Sequence, residues 1–245
     1  MSARKQPGAH ARSATHAAHR DPDRGRTPGA HTQPSEQRDF VEWHRGRPQF
    51  ALWAVALADP AVDARLEQLR AALQPLLLPG YRREPHVTVQ LCGFAVDRPQ
   101  AADEFGPDQL QAQLAALERL RLPPFELRIG GAFSFSAAAC LAVRDPSRSL
   151  RRLRAALARP GAFDPPARYV PHVTAGLYGG AWPMRAVRAR LRPLTALPEI
   201  TVTVSELACM SYATAVVGGP LCTLRRCALQ AAGDACAAQR RTRGG

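Results

Sequence analysis

Two stretches of the chain, PHVTVQLCGF at 85–94 and PHVTAGLYGG at 171–180, agree at six of ten positions. Read as strands, each sends residues i and i+2 to one face. His86 and Thr88 then project together, as do His172 and Thr174. Val87 and Val173 point the other way, into an apolar layer. Two imidazoles and two hydroxyls converging on one cleft suit displacement at phosphorus. One neutral imidazole takes a proton from the attacking water or hydroxyl, and the other, protonated, gives one to the departing oxygen. Each transfer is typically worth about 10²–10⁴-fold in rate. The threonine hydroxyls hydrogen-bond the non-bridging oxygens. Imidazolium and hydroxyls carry the phosphate charge, so no metal and no cofactor is expected. For a single His-x-Thr, a core histidine bonded to a backbone carbonyl is the plain alternative. Duplication copies core residues too, but these two are the sole histidines after residue 48.

The flanking elements repeat as well. QFALWAVAL, 49–57, reads as a strand. In DPAVDARLEQLRAAL, Asp59 is placed as helix cap and Pro60 at the first helical position. Val62, Leu66, Leu69 and Leu73 then form one apolar face. Later, AACLAV at 138–143 reads as a strand, and DPSRSLRRLRAAL offers Asp145 and Pro146 as cap and first turn. The step from Asp59 to Asp145 equals that from His86 to His172, and LRAAL recurs within two residues of the same offset. A spacing shared across strand, cap, helix and strand indicates an internal duplication. Helices are also expected at about 107–120 and 183–191. Strands are expected at 125–135, at 199–210, and at 220–229, the last two joined across a Val-Gly-Gly turn. The expected fold is α+β and bilobal, with two antiparallel sheets and flanking helices around a central cleft that carries both motifs.

Residues 1–48 are polar, rich in Pro and Gly, and lack apolar periodicity, so they read as a disordered arm. The domain proper spans 49–230, and 231–245 reads as a flexible tail. His16 and His19 in the arm have metal-ligand spacing, but a mobile tail without further ligands is the better reading. The net charge of +13 suits a phosphate-bearing partner, yet only Lys5 among the 33 basic residues is lysine. That skew also fits a codon-composition bias. No run approaches the roughly 18–20 apolar residues of a membrane span, and the N-terminus lacks the apolar stretch of a secretory signal. Six scattered cysteines without a C-x-x-C pair point to buried hydrophobes in a reducing compartment. The chain is expected to be cytoplasmic and monomeric, with no membrane partner.

PHVTVQLCG and PHVTAGLYG resemble the paired H-h-T-h signatures (h apolar) of the two-histidine phosphoesterase superfamily, in particular its 2′-5′ RNA ligase-like branch. Gly93, seven residues after the first histidine, matches the usual strand ending of that branch. The resemblance covers about residues 49–230. It implies a bilobal fold with the motifs facing across a cleft, His86 and His172 as the catalytic pair, and Thr88 and Thr174 as phosphate ligands. It further implies His86 as acid to the leaving oxygen and His172 as base to water. The implied substrate is a 2′,3′-cyclic phosphate on an RNA end or nucleotide, opened to a 2′-phosphomonoester without metal. Many members place a basic residue five positions after the second histidine, where this chain has Leu177. Tyr178 is a candidate aromatic or hydroxyl contact in its stead, with strand packing as the alternative. Phe133, Ser134 and Phe135 fall where the family has a loop bordering the cleft.

Three functions compete. Hydrolysis of the cyclic phosphate leads. Reversible 2′-5′ RNA ligation uses the same residues with a hydroxyl in place of water. A non-catalytic nucleotide- or RNA-binding module would not require two proton-transfer groups. The basic arm suits any of them, since attraction to RNA is sequence-tolerant. As an accessory, its removal should leave turnover of a small cyclic nucleotide intact.

Overall fold

The computed structural model describes residues 30–158 and 169–230. A short helix α1 (Val41–His44) precedes strand β1 (Gln49–Ala56), helix α2 (Pro60–Leu73) and strand β2 (His86–Ala95). There follow β3 (Glu104–Phe105), α3 (Pro107–Leu120), β4 (Phe125–Ser134), β5 (Ala138–Arg144) and α4 (Ser149–Leu157). The chain then runs through β6 (His172–Leu177), α5 (Met184–Leu191), β7 (Ile200–Val204), β8 (Glu206–Ala213) and β9 (Cys222–Ala228).

The strands lie in the order β7-β4-β5-β6-β2-β1-β8-β9, with β3 attached to β2. Two antiparallel halves, β7-β4-β5-β6 and β2-β1-β8-β9, meet where β6 pairs with β2 through Val173 and Val87. The order is a palindrome about that seam, as an approximate twofold requires. The register repeats too. Ala56, Val55 and Ala54 face His86, Val87 and Thr88, while Ala142, Leu141 and Cys140 face His172, Val173 and Thr174.

The helices cover one face of the sheet. Val62, Leu66, Leu69 and Leu73 of α2, and Leu150, Leu153 and Leu157 of α4, are all buried there with Val87, Val89, Val173 and Ala175. Burying a side chain of this kind stabilises by roughly 1.5–3 kcal/mol. Asp59 caps α2 by accepting from the amides of Ala61 and Val62 at 2.8 and 3.2 Å, and Pro60 opens the first turn. Its counterpart differs. Helix α4 begins at Ser149, three residues later than Pro146 would place it, after Arg148 adopts a left-handed φ of 57°. Asp145 still serves the helix, accepting from Leu150 N at 2.7 Å.

Two expectations are corrected by pairing that no local pattern reveals. The strand read at 199–210 is two, β7 at one edge of the sheet and β8 in the other half, between β1 and β9. The arm expected to reach residue 48 gives way to packed chain from Ala30. Thr32 N donates to Trp182 O, Gln33 N to Ser136 O and Ser35 N to Tyr178 O, at 2.7–2.8 Å. Phe40 is 5% exposed, and Trp43 packs on the sheet face opposite the helices. A polar segment can do this because its backbone groups find partners and Thr32 adds its hydroxyl, donating to Gly180 O at 2.6 Å and accepting from Trp182 N at 2.8 Å. Residues 1–29, with His16 and His19, and the expected tail at 231–245 lie outside the described residues.

Gly93 explains its own identity. It sits at φ 122°, and a Cβ there would meet the Asp103 carbonyl oxygen at 2.4 Å. The close approach lets Phe94 N bond Asp103 O and seats β3 beside β2. No helix among the described residues is long and apolar enough to cross a membrane.

Candidate active site

The seam between the halves is where the two His-x-Thr motifs meet. Pairing of Val87 with Val173 is antiparallel, so its register sets His86 opposite Thr174 and Thr88 opposite His172. Both valines are fully buried under the helices. The two histidines and two threonines therefore share the other face, as strand alternation dictates. The histidines occupy a diagonal of this quartet, and diagonal neighbours lie roughly 7–8 Å apart at Cα. That spacing leaves room for one phosphoryl group.

Each imidazole is held in the same way. Nδ1 of His86 lies 2.7 Å from the carbonyl oxygen of Glu84, and Nδ1 of His172 lies 2.8 Å from that of Val170. A carbonyl can only accept, so both Nδ1 atoms carry a proton and donate it. The neutral tautomer then presents the Nε2 lone pair for proton exchange. This second-nitrogen bond orients the ring and fixes the tautomer. It is the same i−2 contact in both repeats.

Burial lowers the pKa of both groups. His86, 8% exposed, is pushed down to about 4, first by desolvation and then by the positive charges of Arg83 and His172, against its bond to Glu84. Desolvation also lowers His172, against its bond to Val170. By itself, at neutral pH, His86 is thus uncharged. An anionic phosphate between the rings opposes this, since a neighbouring negative charge favours the protonated form.

The surrounding residues sort the other candidates. Phe135 meets the His172 ring edge-on at 5.0 Å and 76°, and Phe133 packs on Phe135 at 4.9 Å. The 133–135 segment therefore does border the cleft. Ser134 and Tyr178, by contrast, are brought to each other. The Ser134 and Tyr178 hydroxyls lie 2.7 Å apart, and Tyr178 is fully buried. The Tyr178 hydroxyl is pushed up to about 12, chiefly by burial. Full burial makes Tyr178 a packing residue, the alternative weighed for it, while Ser134 stays half-buried at the cleft border with its hydroxyl also donating to Phe135 O at 2.6 Å. Leu177 is 4% exposed in an apolar cluster with Phe40, Cys140 and Val217. Its repeat partner Leu91 is buried as well.

A cation absent from the sequence reading stands on the other side. Arg83 donates from Nε to Gly219 O at 3.1 Å and lies 3.9 Å over the Tyr212 ring. Its Nη2 is buried without a hydrogen-bond partner. Three residues before His86, it occupies the place that Tyr169 holds before His172, so the repeat alignment marks the difference. Tyr81 also flanks the cleft, half-buried, its hydroxyl pKa raised first by desolvation and moderated by Arg83. Cys140 faces Thr174 at 4.0 Å, and burial drives its thiol up to about 12, which keeps it protonated. Among the described residues no three His, Cys, Asp or Glu side chains converge as a metal site requires.

Comparison with known proteins gives this geometry a family. The model of the 2′-5′ RNA ligase superfamily matches residues 58–215, more than half of the chain. Among curated proteins the sequence finds no match. Solved structures do resemble it in fold. TT0787 of Thermus thermophilus superposes with a TM-score of 0.51 at 18% identity, over 75% of this chain and 99% of that one. E. coli LigT complexed with 3′-AMP gives 0.49 at 23%, over 74% and 98%. E. coli LigT complexed with ATP gives 0.45 at 22%, over 75% and 99%. With both His-x-Thr strands inside the matched span, the chain belongs to the 2′-5′ RNA ligase superfamily, the two-histidine phosphoesterases.

Proposed function

We propose that the chain hydrolyses 2′,3′-cyclic phosphates of nucleotides or RNA ends to 2′-phosphomonoesters, with His86 and His172 as the proton-transfer pair. The observation that carries this reading is the diagonal of two imidazoles, each fixed through Nδ1 to a backbone carbonyl and flanked by a threonine.

His172, neutral, takes a proton on Nε2 from the attacking water as its oxygen bonds to phosphorus. The bond from phosphorus to the 3′ oxygen breaks, and His86, protonated, delivers its Nε2 proton to that oxygen. Thr88 and Thr174 donate to the non-bridging oxygens. The proton gained by His172 replaces the one lost from His86 once the two exchange with solvent. The depressed pKa of His86 matters here. An imidazolium that holds its proton weakly is a strong acid toward an alkoxide, and the anionic substrate is the counter-charge that loads it. Arg83, beside His86, adds a positive charge at the leaving-group end.

Turnover of a nucleoside 2′,3′-cyclic phosphate, and of a short RNA ending in one, tests the reading with EDTA present and the product isomer identified. The expected result is EDTA-resistant formation of the 2′-phosphate, reduced at least about 10²-fold in His86→Ala and in His172→Ala. Saturable binding without turnover of either substrate would reject hydrolysis in favour of a binding module. Joining of RNA ends supplied together would favour ligation.

A further inference from the structure

Both His-x-Thr strands carry a bulge at the same place. Along β1 and β2, Trp53 pairs with Gln90 and Ala54 with Thr88, which leaves Val89 as an extra residue. Along β5 and β6, Ala139 pairs with Gly176 and Cys140 with Thr174, which leaves Ala175 extra. Each is the residue directly after the threonine. A bulge frees the extra residue from the ladder, bends the strand and re-aims its neighbours. It also strands a carbonyl, and Val89 and Ala175 are 0% and 1% exposed. An unpaired buried carbonyl costs roughly 1–3 kcal/mol.

The chain supplies the missing donors crosswise. Arg154 in α4, from the second repeat, donates from Nη1 to Val89 O of the first at 2.5 Å. Arg70 in α2, from the first repeat, donates from Nε to Ala175 O of the second at 3.0 Å. Each is the arginine of its LRAAL motif. Arg154 also stacks on Tyr169, 4.2 Å from the ring centroid, and the Tyr169 hydroxyl donates to Thr88 O at 2.9 Å. Arg70 is further steadied by Glu67, 2.5 Å from its Nη1.

We infer that Arg70 and Arg154 are positioning residues, a crossed pair of latches in which the helix of each repeat fixes the bulge, and so the histidine, of the other. The inference rests on the two-histidine reading above. Direct pairing of β2 with β6 is a single residue pair. The latches therefore bear on the relative placement of the imidazoles, which proton transfer to one phosphoryl group makes exacting. A misplacement of about 1 Å can cost about 10²-fold in rate.

The test uses Arg70→Met and Arg154→Met in the full chain, with folding checked by thermal melting. Arg70→Lys and Arg154→Lys replace either variant that does not fold, keeping the charge and losing the fork. The ring ¹³C–¹H signals of His86 and His172, assigned through the alanine variants, are followed at fixed neutral pH without substrate. The expected pattern is crossed: loss of Arg154 moves the His86 signal more, and loss of Arg70 moves the His172 signal more. On the cyclic nucleotide, kcat should fall about tenfold in either variant while KM stays within about twofold. Folded variants that move neither signal, or each the histidine of its own repeat, overturn the inference. So does unchanged kcat in an active enzyme. A wild type without turnover but with crossed signals rejects the hydrolysis reading and leaves the latch standing.

Discussion

The two repeats share a register and differ in what surrounds the histidine. In the first, Arg83 stands three residues ahead, stacked on the Tyr212 ring, and His86 is 8% exposed with its pKa down to about 4. In the second, Tyr169 takes that place and turns away to hold Thr88 O, while Phe135 meets the His172 ring. A duplication alone would make two equal sites. Chemistry at one phosphorus needs unequal ones, since one ring must give a proton while the other takes it. In the proposed reaction, the copied residues (histidine, threonine, bulge and latch) would build the frame, and the uncopied ones would divide the labour.

The largest expected effect breaks that division outright. His86→Ala and His172→Ala should each lose about 10²–10⁴-fold on a cyclic nucleotide. On a 4-nitrophenyl phosphodiester, whose leaving group needs no proton, His86→Ala should recover most of its loss and His172→Ala should not. Equal losses on both substrates would erase the assigned roles, and recovery of His172→Ala alone would reverse them.

The pH dependence of stability sharpens the same contrast. A histidine whose folded pKa is depressed from 6.5 to about 4 takes up protons more readily in the unfolded chain over that interval. Its contribution is fully present above about pH 6.5 and is lost as pH falls to about 4. The loss amounts to about 3 kcal/mol. Denaturant unfolding of His86→Gln against wild type should show a shallower fall across this window. Parallel curves would remove burial as the cause.

The smallest effects belong to the residues that differ. Arg83→Met should raise KM for the cyclic nucleotide about tenfold, as loss of a phosphate-directed charge does. It should also raise the His86 pKa, because Arg83 is one of the groups that depress it. Tyr169→Phe removes one hydrogen bond to Thr88 O and should cost about threefold or less in kcat. If Tyr169→Phe proved the more damaging, the charge in the first repeat would not be what separates the two halves.

Much of this was legible in the sequence, because it is local. The His-x-Thr pairs, the 86-residue offset, the Asp59 cap and the α2 and α4 apolar faces are short-range patterns, and the structure keeps them. What escaped is long-range. Nothing near Arg154 marks it as the partner of Val89 O, 65 positions away, although its recurrence in LRAAL was visible. Tyr178 looked like a cleft residue by position, and the fold buries it fully, with its hydroxyl against that of Ser134. Leu177 broke a family pattern at a position the fold keeps apolar. Arg83 and Tyr169 are plainly unlike when the two repeats are set in register, yet unlikeness alone does not tell which one faces a substrate.

Phe40 and Trp43 have no counterpart in the duplicated pattern. Phe40 joins the apolar cluster beside the second motif, and Trp43 touches clusters on both halves, stacked on Phe50 at 5.6 Å and tilted against Phe94 at 4.9 Å. One wedge thus serves two symmetric halves, like a keystone set off the arch's own courses. Anyone trimming the chain by composition would cut at residue 48 and discard it. The cut that spares the wedge falls before Ala30, and only there does the accessory role of the basic arm become a fair question.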